Sequence, residues 1–359
     1  MPFQWNPDID QTYNDDADLS LPGSPGDFNK SSGKSFTMDA ENHTLTLAVT
    51  TTQDSYTIWS ADVLTPSHTV IYVKAGTLKY EVQPDTQHAV ILDLASATTL
   101  EVSNGGVFSL ADTQVGQFAT IGEDVAIAVL DNGLIDIDSV QCSMGSDGLT
   151  AGRVNITVKS QARMAINAGT IAIANGEMNI AASPVNDEPA FTLATPANAQ
   201  NLLSLINVKA YFVDTSSVVL SSPRLIVDKN ERGGTQVRVA DAAQLDVKFD
   251  TGTFGASSFF HIGRSGSSAA IRFEGYTPGV APFDFENKRY PQGLFDFASD
   301  AGGAYVIYLP GNAFAKQFML NAGVIAIDGQ PQNNDNRLFF TYDTGGREGY
   351  TTIRLKPSR

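Results

Sequence analysis

The sequence predicts an all-β fold, a single-stranded right-handed parallel β-helix in which successive coils of the chain stack on one another. The observations behind it are three similar segments: ATTLEVSNGGVFSL at 97–110, VAIAVLDNGLIDI at 125–137 and ARMAINAGTIAI at 162–173. In each, an alternating apolar strand meets a small or polar corner, and a second alternating strand follows. Corners of this kind recur about 30 residues apart, which lies within the range of solenoid repeats. The alternative is a pair of tandem antiparallel β-sandwiches, where evenly spaced short strands also occur.

The first segment shows why each element forms. Leu100 and Val102, then Phe108 and Leu110, alternate with other residues, which is the period of two expected of a strand with one buried face. Ser-Asn-Gly-Gly at 103–106 separates the two strands, and such residues tolerate positive φ and turn a corner. The alternation therefore predicts inward ladders of apolar side chains.

The order of elements predicts three regions. Residues 1–40 are acidic, rich in Asn, Pro, Gly and Ser, and form an irregular N-terminal arm or cap. Residues 41–335 form the β-helix, with an aromatic-rich excursion at 275–303, and residues 336–359 form a C-terminal hairpin cap. Two segments are candidates for short helices, namely 198–208 and 312–323, the second of which could also be a strand.

Composition and charge exclude several classes of function. Of 359 residues, 42% are hydrophobic and only 17% charged, which predicts an ordered chain. Lysine and arginine number 23 against 39 aspartates and glutamates, and the net charge of −16 disfavours nucleic acids and anionic membranes as partners. Cys142 is the only cysteine, so an intrachain disulfide cannot form and a cysteine zinc site is disfavoured.

Location follows from the same features. No run approaches the ~20 apolar residues of a membrane span, and no signal peptide is visible at the N-terminus. We expect a secreted, cell-surface or virion protein whose export route is not visible in this chain, and a cytoplasmic location also stays open. An oligomer is compatible with the sequence.

The three quoted segments resemble bacterial parallel β-helix proteins: autotransporter passenger domains, haemagglutinin-type adhesins, phage tail spikes and pectin-lyase-like enzymes. The resemblance extends from about residue 45 to the end of the chain and is one of architecture, without a single family. It implies two kinds of function, adhesins and shafts on one side and polysaccharide lyases or hydrolases on the other.

Asp136 and Asp138 are the catalytic candidates. They lie two apart in a predicted strand, on one face and about 7 Å from each other. Glycoside hydrolysis uses two carboxyl groups roughly 5–9.5 Å apart. The competing interpretation is that outward positions of a strand are ordinarily polar, since Ile135 and Ile137 take the inward positions.

A lyase would need a basic residue, and Lys159 and Arg163 flank one corner, although solvated charges explain them better. For cofactors the prediction is none, with calcium as the only candidate, because calcium takes six to eight oxygen ligands. The carboxylates that could collect it are Asp8, Asp10, Asp15, Asp16 and Asp18, which a solvated acidic arm also explains.

The aromatic excursion is the binding candidate. Exposed rings stack on sugars and anchor protein partners, whereas rings in a long loop also pack against the protein beneath them. The candidate residues are Tyr276, Phe283, Phe285, Tyr290, Phe295 and Phe297.

The sequence thus favours a non-catalytic bacterial or phage surface β-solenoid that binds a glycan or a surface protein, as adhesins and receptor-binding proteins do. A polysaccharide lyase or glycoside hydrolase is the first alternative. A structural shaft or scaffold that associates through its ends or sides is the second.

Overall fold

The computed structural model describes residues 3–60, 68–95, 97–112, 114–120, 124–145, 152–228, 234–263, 268–300, 305–310, 315–343 and 350–356. The structure is all-β, with 55% strand and 3% helix. Its strands form one long, mixed but mainly parallel sheet of 30 strands.

In chain order the strands are β1 (Gln11–Tyr13), β2 (Leu19–Gly23), β3 (Ser35–Val49), β4 (Ser55–Trp59), β5 (Val70–Val82), β6 (Val90–Leu94), β7 (Thr99–Val102), β8 (Val107–Ala111), β9 (Gly116–Thr120), β10 (Val125–Val129), β11 (Leu134–Met144), β12 (Val154–Ser160), β13 (Arg163–Ala174), β14 (Gly176–Ala182), β15 (Phe191–Ala194), β16 (Leu202–Ile206), β17 (Lys209–Phe212), β18 (Ser217–Ser221), β19 (Arg224–Val227), β20 (Gln236–Val239), β21 (Gln244–Lys248), β22 (Thr251–Phe254), β23 (Phe259–Ile262), β24 (Ala270–Glu274), β25 (Phe295–Phe297), β26 (Val306–Pro310), β27 (Ile325–Ile327), β28 (Gln330–Pro331), β29 (Leu338–Asp343) and β30 (Tyr350–Leu355). A 3-10 helix spans Pro25–Phe28, and α1 spans Ala315–Asn321.

Strands about one coil apart in sequence pair in parallel and form three columns, here called faces A, B and C. Long strands such as β3, β5, β11 and β13 turn a corner and contribute to two faces. Face A contains β1, β3, β5, β7, β10, β12, β14, β17, β20, β23, β25 and β27. Face B contains β2, β3, β5, β8, β11, β13, β15, β18, β21, β24 and β26. Face C contains β4, β6, β9, β11, β13, β16, β19 and β22.

The core consists of ladders of inward side chains, because the register between coils is kept and every second residue points inward. All members of the longest ladder are buried, and their Cα atoms pair from coil to coil along face A. The ladder is Tyr13, Met38, Val73, Val102, Val129, Val158, Ile180, Phe212, Val239, Ile262, Phe297 and Ile327. Alternation along the chain thus becomes a continuous apolar column.

The corners between faces A and B explain the residues found there. At several of them the backbone N–H of one residue donates to the carbonyl oxygen three residues earlier, as Gly106 does to Ser103 at 2.9 Å and Gly133 to Leu130 at 2.9 Å. The residue after the acceptor has positive φ, for example Asn104 at 52° and Asp131 at 54°. Asn and Asp tolerate this conformation better than other residues with a Cβ, which is why they recur at these corners.

The N-terminal residues are fastened to the first coil by Lys30, whose side chain is buried. Its Nζ donates to the carbonyl oxygens of Asn6 at 2.9 Å and Ile9 at 2.7 Å, and lies 5.2 Å from the ring centre of Trp5. Burial lowers the pKa of Lys30 to about 8. The first 40 residues, where an irregular arm or cap was expected, include two strands, β1 and β2, that pair with β3.

The C-terminal residues pair differently. β30 lies antiparallel to β26 and to β29, and β28 lies antiparallel to β27. Among the described strands these are the antiparallel pairs, apart from one isolated bridge between Val185 and Glu188. The predicted hairpin region at 336–359 contains β29 and β30, with 344–349 and 357–359 outside the described residues.

The predominance of parallel pairs from coil to coil is consistent with a β-solenoid, and it is not the pairing that tandem antiparallel sandwiches would require. The expectation of a helix within 198–208 is wrong, because Leu202–Ile206 is a strand of face C whose residues Leu203 and Leu205 point inward. In 312–323 a helix does form, over Ala315–Asn321.

Candidate functional site

The two candidate carboxylates lie on the outer surface of face B. Asp136 and Asp138 alternate with Ile135 and Ile137, which are both fully buried. Their direction is therefore fixed by the core contacts of the isoleucines, since a strand sends successive side chains to opposite faces. The two aspartates point the same way from one strand, as the sequence predicted.

Short side chains surround the two aspartates in the neighbouring coils. Asp136 pairs in register with Ser109 on one side and Ala165 on the other. Asp138 pairs with Ala111 and with Asn167, whose Nδ2 donates to Asp138 Oδ1 at 3.1 Å. Three of these four neighbours, Ser109, Ala111 and Ala165, have short side chains. The two carboxylates therefore project beyond them and are accessible to a ligand lying across the face.

Two further charged residues complete this surface. Arg163 is in register with Leu134, at the start of the next coil, and its guanidinium donates to the Glu188 carboxylate. Partial burial of the Asp136 carboxyl, and then the neighbouring charge of Asp138, raise the pKa of Asp136, while Arg163 opposes the shift. Asp136, Asp138, Arg163, Asn167 and Glu188 are together called the carboxylate patch.

A shallow trough runs beside the carboxylate patch. Ser109 and Ala111 form its floor, and Lys79 and Glu81 stand on its far side, in register with them on β5. The two walls are two strand spacings apart, about 9.6 Å. Lys79 Nζ lies 3.1 Å from Glu81 Oε1. One wall thus carries an ion pair and the other carries Asp136 and Asp138.

A groove of about 650 Å³ opens at the corner between faces A and B, next to the trough. Its lining residues are Asp39, Glu41, Asn42, Lys74, Ala75, Gly76, Thr77, Asn104, Gly105 and Val107. Thr77 and Val107 precede Lys79 and Ser109 by two residues on the same strands, so they share the outer surface of face B with them. The groove and the trough are therefore adjacent and mainly polar.

Gly76 shows why this corner is built from small residues. Its φ is 73°, and a Cβ placed on it would lie 2.0 Å from the carbonyl oxygen of Ala40 in the preceding coil. The backbones of two coils thus approach each other closely at the base of the groove, and no other residue type fits there.

The two basic residues considered for a lyase lie on different faces. Lys159 is at the end of β12 on face A and is exposed, whereas Arg163 begins the face B part of β13. The corner between them separates their side chains, and Arg163 is paired with Glu188. Of the two, the structure brings Arg163 near the aspartates.

The N-terminal carboxylates lie apart from this surface. Asp10 Oδ1 accepts hydrogen bonds from the backbone N–H and the hydroxyl of Ser35, and these bonds lower the pKa of Asp10. Asp8 accepts one from Ser31, and Asp18 accepts one from the Thr44 N–H. Among the residues that the structure describes, no group of three or more His, Cys, Asp or Glu could hold a metal ion. Calcium binding by this segment, including Asp15 and Asp16, stays a prediction.

The aromatic excursion packs mainly against the stacked strands. Phe283 is 5% exposed and lies between 5.2 and 5.7 Å, centre to centre, from six other rings. Phe295 and Phe297 are fully buried on β25, and Phe297 belongs to the ladder of face A. These three rings have no free face for a ligand, and Phe283 covers Phe254 of β22, the last strand of face C.

The other three rings of the excursion are half-buried. The hydroxyl of Tyr276 donates to the Thr195 carbonyl at 3.1 Å, and the hydroxyl of Tyr290 accepts the Asp284 N–H at 2.9 Å. Burial raises the pKa of Tyr290. A binding role for Tyr276, Phe285 and Tyr290 stays a prediction; residues 301–303 of the excursion lie outside the described residues.

Cys142 is part of the core. It occupies the inward ladder of face C between Phe118 and Ile171, and it is fully buried. Burial raises the pKa of its thiol to about 12. The side chain therefore acts as a small apolar residue at neutral pH.

The chain matches no protein-family model, no curated protein and no solved structure. In the described part of the chain, no helix is both long and apolar enough to cross a membrane.

Sequence reasoning missed Lys79, Ser109 and the corner groove as parts of this surface. Their relation to Asp136 comes from the register, in which residues 27 and 30 positions apart become neighbours. Aligning the corner glycines of successive coils would have indicated it, because Gly106 and Gly133 precede Ser109 and Asp136 by three residues each.

Proposed function

We propose that this chain is a single-stranded, right-handed parallel β-helix of the adhesin type that binds an oligosaccharide along face B. Parallel strands joined by crossover connections are right-handed in about 98% of cases, which supports the proposed hand. In this proposal the protein acts at a cell or virion surface and recognises a glycan without cleaving it.

The observation that carries the proposal is the continuity of the corner groove with the trough. Together they offer an elongated polar surface with carboxylates, a lysine and amides along its sides. Sugar hydroxyls both donate and accept hydrogen bonds, so they suit carboxylates and amides that are fixed by the strands carrying them. The floor of Ser109 and Ala111 leaves room for a ring.

The net charge of −16 and the two neighbouring aspartates favour a neutral glycan at this surface over an acidic one. Asp136 and Asp138 would accept hydrogen bonds from hydroxyls, and Lys79 would donate to them. Since the backbone is held in register over the whole site, little ordering is needed on binding, which favours affinity.

The test is binding to a panel of neutral and acidic polysaccharides, followed by a variant that fills the trough. Ser109→Tyr places a ring between the two walls, while its outward position leaves the core unchanged. We expect it to weaken binding of the retained glycan at least tenfold. Ser221→Tyr is the matched control, because Ser221 is an outward residue of face B three coils beyond Asp138.

Equal loss in both variants, or unchanged binding with Ser109→Tyr, would contradict binding at the trough. If no polysaccharide is retained at all, the proposal of a glycan-binding protein fails. Thermal unfolding of each variant establishes that the fold is kept.

A second candidate function is glycoside hydrolysis, favoured by the raised pKa of Asp136 next to Asp138. A carboxyl group with a raised pKa can donate its proton to the glycosidic oxygen as the C–O bond breaks. The second carboxylate, oriented by Asn167, would take a proton from the water that attacks the anomeric carbon. Water is thus added across the bond that breaks.

Release of new reducing ends distinguishes this candidate from binding alone. We expect Asp136→Asn and Asp138→Asn each to lower the cleavage rate at least a hundredfold if hydrolysis occurs. A glycan that is retained without any release of reducing ends would exclude hydrolysis of that glycan and support the binding function.

A further inference from the structure

A second polar surface lies on face A, near the C-terminal end of the solenoid. Tyr211, Arg238, His261 and Asp296 follow one another in register on β17, β20, β23 and β25. Neighbouring strands are about 4.8 Å apart, so each side chain adjoins the next. All four are at outward positions, because the residues on either side of them point into the core.

The imidazole of His261 is held by Asp296. Its Nδ1 lies 2.8 Å from Asp296 Oδ2, and the other oxygen of the same carboxylate accepts the Gly329 N–H at 2.8 Å. Asp296 is only 8% exposed, and these two contacts fix its carboxylate from both sides. A carboxylate in this position accepts a hydrogen bond from Nδ1–H, so the ring is oriented and Nε2 remains for another partner.

Arg238 has no carboxylate partner among the described residues, although the chain has 39 acidic side chains. Its guanidinium lies 6.0 Å from the ring centre of Phe259. By contrast, the guanidinium groups of Arg163 and Arg272 each contact a carboxylate. Arg238 is exposed, and stacking on a ring orients it without neutralising it.

The neighbouring row of outward residues on the same strands adds further hydrogen-bond donors. Lys209 and Gln236 lie two residues before Tyr211 and Arg238 on the same strands and point outward with them. The surface therefore combines a guanidinium, an imidazole, an ammonium group, an amide and a phenol, with the carboxylates of Asp296 beside His261 and of Glu177 in register with Lys209. We call Lys209, Tyr211, Arg238 and His261 the basic patch.

We propose that the basic patch binds an oxyanion carried by a saccharide, either the carboxylate of a uronic acid or a sulfate ester. Arg238 supplies two parallel N–H donors, the arrangement that carboxylate and sulfate oxygens accept best. His261, held by Asp296, bounds the site on one side, and Tyr211 bounds it on the other. The site is on a different face from the trough, so it does not depend on the function proposed for face B.

The experiment is a titration of the whole chain with three oligosaccharides of equal length: a uronate oligomer, a sulfated neutral oligomer and the same neutral oligomer without sulfate. Calorimetry gives the affinities, and the side-chain NMR signals of Arg238 and His261 report where the ligand binds. We expect one or both anionic oligomers to bind and to shift both signals, and the neutral one to leave them unchanged. Whichever anionic oligomer binds identifies the source of the oxyanion.

Variants separate this site from general electrostatic attraction. We expect Arg238→Gln to weaken binding at least tenfold and Arg238→Lys to retain part of it, because a lysine keeps the charge without the paired donors. The matched control is Arg272→Gln, which removes the same charge from face B and should change the affinity by less than twofold. The proposal is overturned if neither anionic oligomer binds, if the neutral one binds equally well, or if Arg272→Gln weakens binding as much as Arg238→Gln.

Discussion

Face B carries two charged regions on equivalent strand positions, and they differ in how their charges are arranged. In the first, Asp136 and Asp138 of the carboxylate patch occupy two successive outward positions of β11. In the second, Asp246 and Lys248 of β21 occupy the same two positions, with Arg272 and Glu274 in register on β24. These four residues are called the paired patch.

Every charge of the paired patch has an opposite neighbour. Arg272 lies 3.5 Å from Asp246 and 5.4 Å from the ring centre of Tyr308, and Lys248 lies 3.5 Å from Glu274. In the carboxylate patch the two aspartates are neighbours of the same sign, and the nearby arginine is engaged by Glu188. The stacked strands of face B therefore accommodate both paired and unpaired charges at these positions.

The difference indicates which region is a candidate for function. Cross-strand ion pairs at the surface contribute at most about 1 kcal/mol, which is sufficient reason for the paired patch to exist. Asp138 accepts a hydrogen bond from Asn167, but two like charges on one strand repel each other and slightly oppose folding. Ion pairing thus explains the charges of the paired patch and does not explain those of the carboxylate patch.

The largest expected effect concerns the core beneath each patch. Ile137 lies between Leu110 and Ile166 in the inward ladder, and Val247 holds the corresponding position under the paired patch. We expect Ile137→Ala to lower the free energy of unfolding by about 2–5 kcal/mol, because it removes buried methyl groups and leaves a cavity. Val247→Ala removes fewer atoms and should cost less.

Denaturant unfolding measures both changes. If Ile137→Ala leaves the midpoint where it was, Ile137 does not fix the direction of Asp136 and Asp138 as described. A smaller midpoint shift with Ile137→Ala than with Val247→Ala would contradict equal packing under the two patches.

A smaller effect, of opposite sign in the two patches, is expected from removing one carboxylate charge. Asp136→Asn relieves the repulsion with Asp138 and should raise the free energy of unfolding by less than about 1 kcal/mol. Asp246→Asn removes the partner of Arg272 and should lower it by a similar amount. Thermal unfolding at low ionic strength compares the two, and shifts of the same sign would contradict the distinction between the patches.

The alternating pattern was sufficient to predict the strands and the inward ladders, since burial follows directly from the period of two. Leu202–Ile206 was misread as part of a helix because Asn-Leu-Leu-Ser-Leu-Ile has apolar residues at both spacings, and pairing with the neighbouring coils decided the outcome. Local pattern alone contains no information on such partners.

The site was predictable to a smaller extent. The common direction of Asp136 and Asp138 follows from the alternation within one strand. The trough depends on the register between β5, β8 and β11, and the His261–Asp296 contact joins residues 35 positions apart, so neither can be read from a local pattern. The aromatic excursion shows the opposite case. Its composition resembles that of a binding loop, yet Phe295 and Phe297 are buried because they occupy inward positions of β25 on face A, and Phe283 is buried against neighbouring rings, among them Phe254 of β22.

The smallest expected effect is a pH dependence that belongs to the carboxylate patch. Partial burial and the Asp138 charge raise the pKa of Asp136 above its ordinary 3.8, so between the ordinary and the raised value the folded chain binds more protons than the unfolded one. The contribution of Asp136 to stability therefore falls as pH rises through that window and grows as pH is lowered through it.

The difference in free energy of unfolding between the natural chain and Asp136→Asn, followed from pH 7 to pH 4, should shift in favour of the natural chain. If this difference does not change between pH 7 and pH 4, Asp136 is an ordinary surface carboxylate, and the case for proton donation by this residue is lost.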